Sequence, residues 1–275
     1  MILKRQCDKA GNISLVNFAI DEGRISLVED IISEELTKPT EDVNFILHIL
    51  KNHPDTSYFD DLWHLVTEKH FFGQDENGDS ALHIMSTIFS QGIAGKISKV
   101  LQKFSPHQEE LLRITNNNGN TPLKIAIDEE NIEAAKVLLT KESLIFNRAS
   151  EENALFESIK KRNLALTDHI LQNFSDFIFK VDFVRKRVVH HAFKHKFFDG
   201  VKIIIKYAAE SHISDLMKEL MNSCDENGMT PLFLSMYYKK SNLVDIILEI
   251  DQIEFDSTDK DRKTALHLAV EYNQP

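Results

Sequence analysis

Three groups of side chains in this sequence have types and spacings that invite chemistry. His191 and His195 stand four residues apart beside His190, a separation that on a helix brings two imidazoles to one face, as a zinc pair requires. No Glu lies between them in the metalloprotease order and no third ligand is evident, so they read as a solvated or partly packed helix face. Asp60, Asp61, His64 and His70 gather around Trp63. Carboxylates beside an imidazole can move protons, but this spacing matches no catalytic motif and reads as structural. The two cysteines, Cys7 and Cys224, lie far apart, and a thiol nucleophile needs a positioned base that the surrounding sequence does not offer. The glycine loops that cradle phosphate and the G-x-S-x-G elbow do not occur. No catalytic, cofactor-binding or metal-binding residues are expected, and within these residues the chain reads as no enzyme.

The elements that would carry these groups are constrained by composition. Only 9 Gly and 6 Pro occur among 275 residues, too few for a collagenous, disordered or turn-dense β chain. Acidic residues outnumber basic ones, 43 to 32, for a net charge of −11. A negative field repels phosphate, so nucleic acid and anionic membranes are not expected as partners. Two cysteines make no disulfide framework, no apolar run reaches the ~18 residues of a membrane span, and the first residues turn charged too early for a signal peptide. A soluble, cytoplasmic chain is expected.

The sequence repeats itself. Asn116-Asn-Asn-Gly119-Asn-Thr121-Pro122-Leu123 returns as Asp225-Glu-Asn-Gly228-Met-Thr230-Pro231-Leu232, as Asp75-Glu-Asn-Gly78-Asp-Ser80-Ala81-Leu82-His83, and as Asp259-Lys-Asp-Arg262-Lys-Thr264-Ala265-Leu266-His267. With the leucine as anchor, weaker copies fall at Leu155, Val189 and Val16, and a degenerate one is placed near Phe45. The spacing is 32 residues from Leu123 to Leu155 and 34 from Leu155 to Val189, but 41 from Leu82 to Leu123 and 43 from Val189 to Leu232. Thr121 suits a helix N-cap and Pro122 the first helical position, where a missing N–H is harmless. A second helix follows, with apolar residues such as Leu243, Ile246, Ile247 and Ile250 on one face. Each unit is a turn and two short helices, and must stack on its neighbours to bury that face.

This pattern resembles the ankyrin repeat, with its period of about 33 and its Thr-Pro-Leu-His core. The resemblance implies an all-α ankyrin-repeat solenoid of stacked helix-turn-helix units, irregular, its last repeat incomplete. It would run as a single domain over residues 1–275, with about eight units. It also implies that His83 and His267 hydrogen-bond within the turns. A weaker, compositional resemblance is to ankyrin-repeat effectors that intracellular bacteria secrete into host cells.

In the ankyrin family, targets are read by the turns and by the end of the first helix of each unit, facing a concave groove. Carried over, those ends are Asp21 and Glu22, Thr87 and Ile88, Asp128 and Glu129, Lys160 and Lys161, Lys194 and His195, Tyr237 and Tyr238, and Glu271 and Tyr272. They run from acidic through basic to aromatic. From Lys180 to Lys206 there are eight basic and two acidic residues, among them Arg185 and Arg187. The expected function is a protein–protein interaction module. Its groove would hold an acidic segment of a partner protein at Lys160, Lys161, Arg185, Arg187, Lys194 and His195, with Tyr237 and Tyr238 as an anchor. No cofactor and no small-molecule substrate is expected. Because the last copy stops before its second helix, leaving Leu266, Leu268 and Val270 without one, the sequence reads as a fragment of a longer chain. The alternative function is then the targeting region of a larger enzyme whose catalytic domain lies beyond Pro275.

Overall fold

A computed structural model describes residues 15–35, 45–141, 143–147, 152–179, 187–210, 214–251 and 253–271. The chain divides into two compact units, residues 1–138 and 139–275. The first holds α1 (Leu15–Asp21), α2 (Ile25–Glu35), α3 (Phe45–Asn52), α4 (Tyr58–Asp61), α5 (Glu68–Phe72), α6 (Ala81–Thr87), α7 (Ile93–Lys103), α8 (Gln108–Arg113), α9 (Pro122–Asp128) and α10 (Ile132–Leu138). In the second, a short antiparallel pair, β1 (Ile145–Asn147) and β2 (Glu152–Asn153), precedes α11 (Ala154–Lys160) and α12 (Leu164–Asn173). Then follow α13 (Val188–Lys194), α14 (Phe198–Glu210), α15 (Ser214–Asn222), α16 (Pro231–Tyr237), α17 (Ser241–Leu248) and α18 (Ala265–Glu271). The fold is all-α, of the stacked helix-turn-helix kind. No described helix is long and apolar enough to cross a membrane.

One helix type recurs in both units. α1, α6, α9, α11, α13, α16 and α18 are each 7 residues long. The repeat anchor is the second residue of every one: Val16, Leu82, Leu123, Leu155, Val189, Leu232 and Leu266. The first six anchors are at most 2% exposed, so each is a core residue of its stack, whereas Leu266 is 74% exposed. Of the three apolar residues expected to lack a partner helix, Leu266 and Val270 are exposed but Leu268 is buried; α18 packs on α16, so one face of it is covered. The degenerate copy near Phe45 falls on α3, which begins at Phe45 and runs 8 residues. The two long spacings each contain an added helix, α8 after α7 and α15 after α14.

The starts of these short helices are set by side chains. Thr121 Oγ1 accepts from the Lys124 N–H at 3.3 Å and Thr230 Oγ1 from the Phe233 N–H at 3.4 Å, with Pro122 and Pro231 following as first residues. Asn153 does the same for α11, accepting from the Leu155 and Phe156 N–H groups at 3.0 and 3.1 Å. In α6 and α18 the third helical residue is His, and its Nδ1 accepts from the capping residue's N–H: Ser80 to His83 at 3.1 Å and Thr264 to His267 at 3.1 Å. Each device satisfies an N–H that the first turn leaves without an intrahelical partner.

The ends are set by backbone. In α1, α9, α11, α13 and α16 the chain leaves through a left-handed residue seven positions after the anchor: Gly23, Glu130, Arg162, Lys196 and Lys239, with φ between 53° and 69°. The next N–H reaches back five residues, as from Asn131 to Ala126 O at 2.8 Å, Asn163 to Ser158 O at 2.9 Å, Phe197 to Ala192 O at 2.8 Å and Lys240 to Ser235 O at 2.9 Å. This is the Schellman closure, which normally favours Gly at its left-handed position; four of the five here are charged residues with a Cβ.

The hairpin turns before α6, α9, α16 and α18 are equally regular. The side-chain oxygen of Asp75, Asn116, Asp225 or Asp259 accepts two backbone N–H groups two and four residues on, at 2.8–3.0 Å. Within each unit neighbouring turns hook together, the Asn117 N–H donating to Asn77 O at 3.0 Å and the Lys260 N–H to Asn227 O at 3.1 Å. Gly78 is required at its turn: with φ of 76° a Cβ would stand 2.7 Å from the Asn117 backbone nitrogen.

Candidate partner-binding surface

The three groups that invited chemistry separate in the structure. His190 is the residue after the anchor Val189, the same register as His83 after Leu82. It is buried, and its Nε2–H donates to Ser223 O at 3.1 Å, as that of His83 donates to Asn120 O at 2.9 Å. It therefore belongs to the turn network and not with its neighbours. His191 and His195 do share a face, their rings stacked with centroids 6.1 Å apart, and His191 packs on Phe156 at 4.6 Å. Burial lowers the pKa of His190 to about 4 and that of His83 in the same direction. The capping residue before His190 is Arg187, which has no hydroxyl to offer, and the buried His190 Nδ1 is without a hydrogen-bond partner.

The acidic group around Trp63 disperses. Asp60 pairs with Lys99 at 2.8 Å, Asp61 accepts from Ser57 Oγ at 2.7 Å, His64 lies 3.6 Å from Glu29, and His70 caps α5 by accepting the Thr67 N–H at 2.9 Å. Trp63 packs with Phe59, Phe71 and Phe104 and is flanked by the Lys99 and Lys103 ammonium groups at 4.9 and 4.6 Å. The Cys224 thiol is exposed, but burial and then the charges of Asp225 and Glu254 raise its pKa, which disfavours the thiolate. Cys7 lies outside the described residues.

The inner-helix ends present a consistent surface in each unit. Asp21, Thr87 and Asp128 are the last residues of α1, α6 and α9; Lys160, Lys194, Tyr237 and Glu271 are the last residues of α11, α13, α16 and α18. Lys161, His195 and Tyr238 are the cap residues that follow. In the second unit this gives three successive positions, two lysines, then lysine and histidine, then two tyrosines. Lys160 is exposed and pairs with Glu157 at 2.6 Å. His195 has a lowered pKa, first from burial and then from His191, Lys194 and Lys160. Tyr238 stacks flat on Phe193, with centroids 6.2 Å apart and planes within 9°, and meets Phe198 at 5.6 Å, so it is held rigidly. Tyr237 stands edge-on to it at 5.2 Å and is 49% exposed.

A cleft of about 310 Å³ opens where these ends meet the turn before α16, lined by His190, Lys194, Asp225, Glu226, Asn227, Met229, Leu234, Tyr237 and Tyr238. Of the other basic residues, Arg187 is held internally: its guanidinium donates to Phe179 O at 2.9 Å and pairs with Glu219, and its side chain is 16% exposed. Arg185 and Tyr272 lie outside the described residues.

Geometry of this kind, capped seven-residue helices joined by hooked turns, defines a stacked-repeat protein. The family model described as "Ankyrin repeats (3 copies)" matches residues 205–275. Among solved structures, the ankyrin repeat domain of Bcl-3, described as a unique member of the IkappaB protein family, aligns over 96% of this chain and 99% of its own with a TM-score of 0.52 at 12% identity. Another ankyrin repeat protein, EF0377, aligns over 68% of this chain and 95% of its own with a TM-score of 0.45 at 16% identity. No curated protein matches the sequence. Residues 205–275 match the ankyrin-repeat family model, and the chain as a whole has the fold of an ankyrin-repeat structure. Ankyrin repeats are generally protein–protein interaction modules and typically non-catalytic.

Proposed function

We propose that the chain binds a partner protein through the inner-helix ends of its second unit, and that the bound segment carries acidic residues followed by an apolar or aromatic side chain. The acidic part would lie along Lys160, Lys161, Lys194 and His195. The apolar part would enter the cleft against Tyr237 and Tyr238. The observation that carries this reading is the register: the two lysines, the Lys–His pair and the tyrosine pair occupy the same two positions of three helices, and Lys194 lines the same cleft as both tyrosines.

Electrostatics divides the labour. Asp225 and Glu226 also line the cleft, so acid is better accommodated at the helix ends than inside it. Asp225 Oδ1 is already occupied by the Asn227 and Met229 N–H groups at 2.8 and 3.0 Å. Lysines at this solvated rim steer association and set salt dependence, while rigid Tyr238 and exposed Tyr237 supply contact area at little conformational cost. Arg187, with its internal partners, is left out of the contact set, and Arg185 extends the proposal outside the described residues.

The test begins with affinity capture on the full chain and identification of the bound protein by mass spectrometry. Reversal of Lys160, Lys161 and Lys194 to Glu is then expected to weaken binding about tenfold, each exposed pair contributing at most about 1 kcal/mol. Tyr237→Ala is expected to act through dissociation rate. Affinity unchanged in both variants overturns the proposal.

A further inference from the structure

Two imidazoles in the first unit point at one carboxylate oxygen. Asp21 Oδ1 accepts from His48 Nε2 at 2.7 Å and from His53 Nε2 at 2.8 Å. Among the described residues, Asp21, His48 and His53 are the one group of three His, Cys, Asp or Glu side chains whose ligand atoms all lie within 4.8 Å of one another. Asp21 is the last residue of α1, His48 lies on α3, and His53 follows the last residue of α3. Packing of α1 on α3 therefore brings together residues 27 and 32 positions apart.

The chemistry of this set suits a borderline divalent ion. Zinc takes imidazole nitrogen at about 2.0–2.1 Å and carboxylate oxygen at about 2.0–2.2 Å, tetrahedrally. Ligand atoms around it then stand about 3.4 Å apart, so the 2.7 and 2.8 Å contacts need open by well under 1 Å. With side-chain exposures of 43%, 17% and 23%, Asp21, His48 and His53 have room for that adjustment, and solvent can reach a fourth position. Both histidines present Nε2, and the Asn52 amide lies 3.1 Å from His48 Nδ1. A zinc-bound His48 carries its proton on Nδ1, and because the Asn52 amide nitrogen also donates to His48 O at 3.1 Å, that proton is left to solvent rather than to Asn52. A single carboxylate is a poor match for calcium or magnesium, which take six or more oxygens including water.

We propose that Asp21, His48 and His53 form a zinc site, with water completing the coordination, that clips α1 to α3. Zinc is titrated into the metal-free full chain by calorimetry, with thermal midpoints recorded in parallel. One equivalent is expected to bind and to raise the midpoint, because an ion that binds only the folded state stabilises it by mass action. Asp21→Asn and His53→Ala are each expected to weaken binding at least about tenfold, and His191→Ala, at the other histidine pair, to leave it unchanged. His53 lies beyond the helix it follows, and circular dichroism of the H53A chain verifies that the helices persist. Cobalt(II) gives a second reading: a visible absorption band expected in the native chain and lost in H53A. No saturable zinc binding, or binding of undiminished affinity in both D21N and H53A, overturns the proposal.

Discussion

Five of the inner helices close through the same backbone device, and their ends differ in charge between the two units. At α1 and α9 in the first unit stand Asp21, Glu22, Arg24, Asp128, Glu129 and Glu130. At α11, α13 and α16 in the second stand Lys160, Lys161, Arg162, Lys194, Lys196, Lys239 and Lys240, while α6 ends on Thr87 and α18 on Glu271. A helix C-terminus carries partial negative charge, so cations there are favourable and anions unfavourable. The lysines of the second unit therefore have a structural use whatever they bind, and their abundance alone is weak support for a binding site. The acids of the first unit run against the dipole, and two of them are given local cationic or imidazole partners: Lys124 Nζ lies 2.8 Å from Asp128, and His48 and His53 hold Asp21. Burial raises the Asp21 carboxyl, but the hydrogen bonds from His53 and His48 outweigh it and leave its pKa lowered. Charge that opposes helix stability says more about selection for contact or ligation than charge that supports it.

Three experiments sharpen this contrast, from large effects to small. The anchor leucines come first. Leu82→Ala in the first unit and Leu232→Ala in the second are each expected to cost about 2–5 kcal/mol by loss of buried methyl groups and creation of a cavity. Leu266→Ala, at the same register but exposed, should change stability by less than about 0.5 kcal/mol. Urea midpoints of the three variants decide it, and a large loss at Leu266 would show that something covers α18 in solution.

Acid comes second. His190 titrates near 4 in the folded chain because it is buried, against about 6.5 when unfolded. The unfolded chain thus takes up the proton first. Stability is complete above pH of about 6.5 and falls as the pH drops toward about 4, by up to about 3 kcal/mol. Urea midpoints followed across that window should decline in the native chain and flatten in H190Q. In the first unit the lowered Asp21 carboxyl works in a more acidic window, its contribution lost only as the pH falls below the ordinary carboxylate value. Hydrogen exchange at about pH 4.5 is expected to show the helices around His190 opening before α1.

Charge exchange at the helix ends comes last. Glu129→Lys in the first unit is expected to gain about 0.3–1 kcal/mol and Lys194→Glu in the second to lose a similar amount, both reduced by salt. Thermal midpoints at low and high salt measure it. Equal shifts in both directions at both ends would remove the dipole as the reason for the basic residues of the second unit.

Much of the fold was legible because its signals are local. Thr121-Pro122 and Thr230-Pro231 announce helix starts, and Asp75, Asn116, Asp225 and Asp259 announce their turns two to four residues ahead. The anchors at Leu155 and Val189 follow from spacing even though their turns differ. The added helices α8 and α15 were not legible, since a period search reads the 41- and 43-residue spacings only as irregularity. His190 reads from the sequence only as part of a solvated or partly packed helix face with His191 and His195; with Arg187 in place of a capping Thr or Ser, the motif that would place it in the turn network is broken. The meeting of Asp21 with His48 and His53 follows from helix stacking alone, and no linear spacing encodes it. The charge sequence along the inner-helix ends was readable from the anchors, but which cations are already engaged was not, because Phe179 O and Glu219 reach Arg187 from 8 and 32 residues away.

The left-handed exits of the inner helices have one further consequence. Their geometry is written in two main-chain hydrogen bonds, as from the Lys239 N–H to Met236 O at 2.9 Å and from the Lys240 N–H to Ser235 O at 2.9 Å. Gly23, Glu130, Arg162, Lys196 and Lys239 all occupy that place, so the fold tolerates neutral, acidic and basic occupants alike. Such a position works as a spelling site on a fixed frame: the letter at each tip can change while the main chain that displays it keeps its shape.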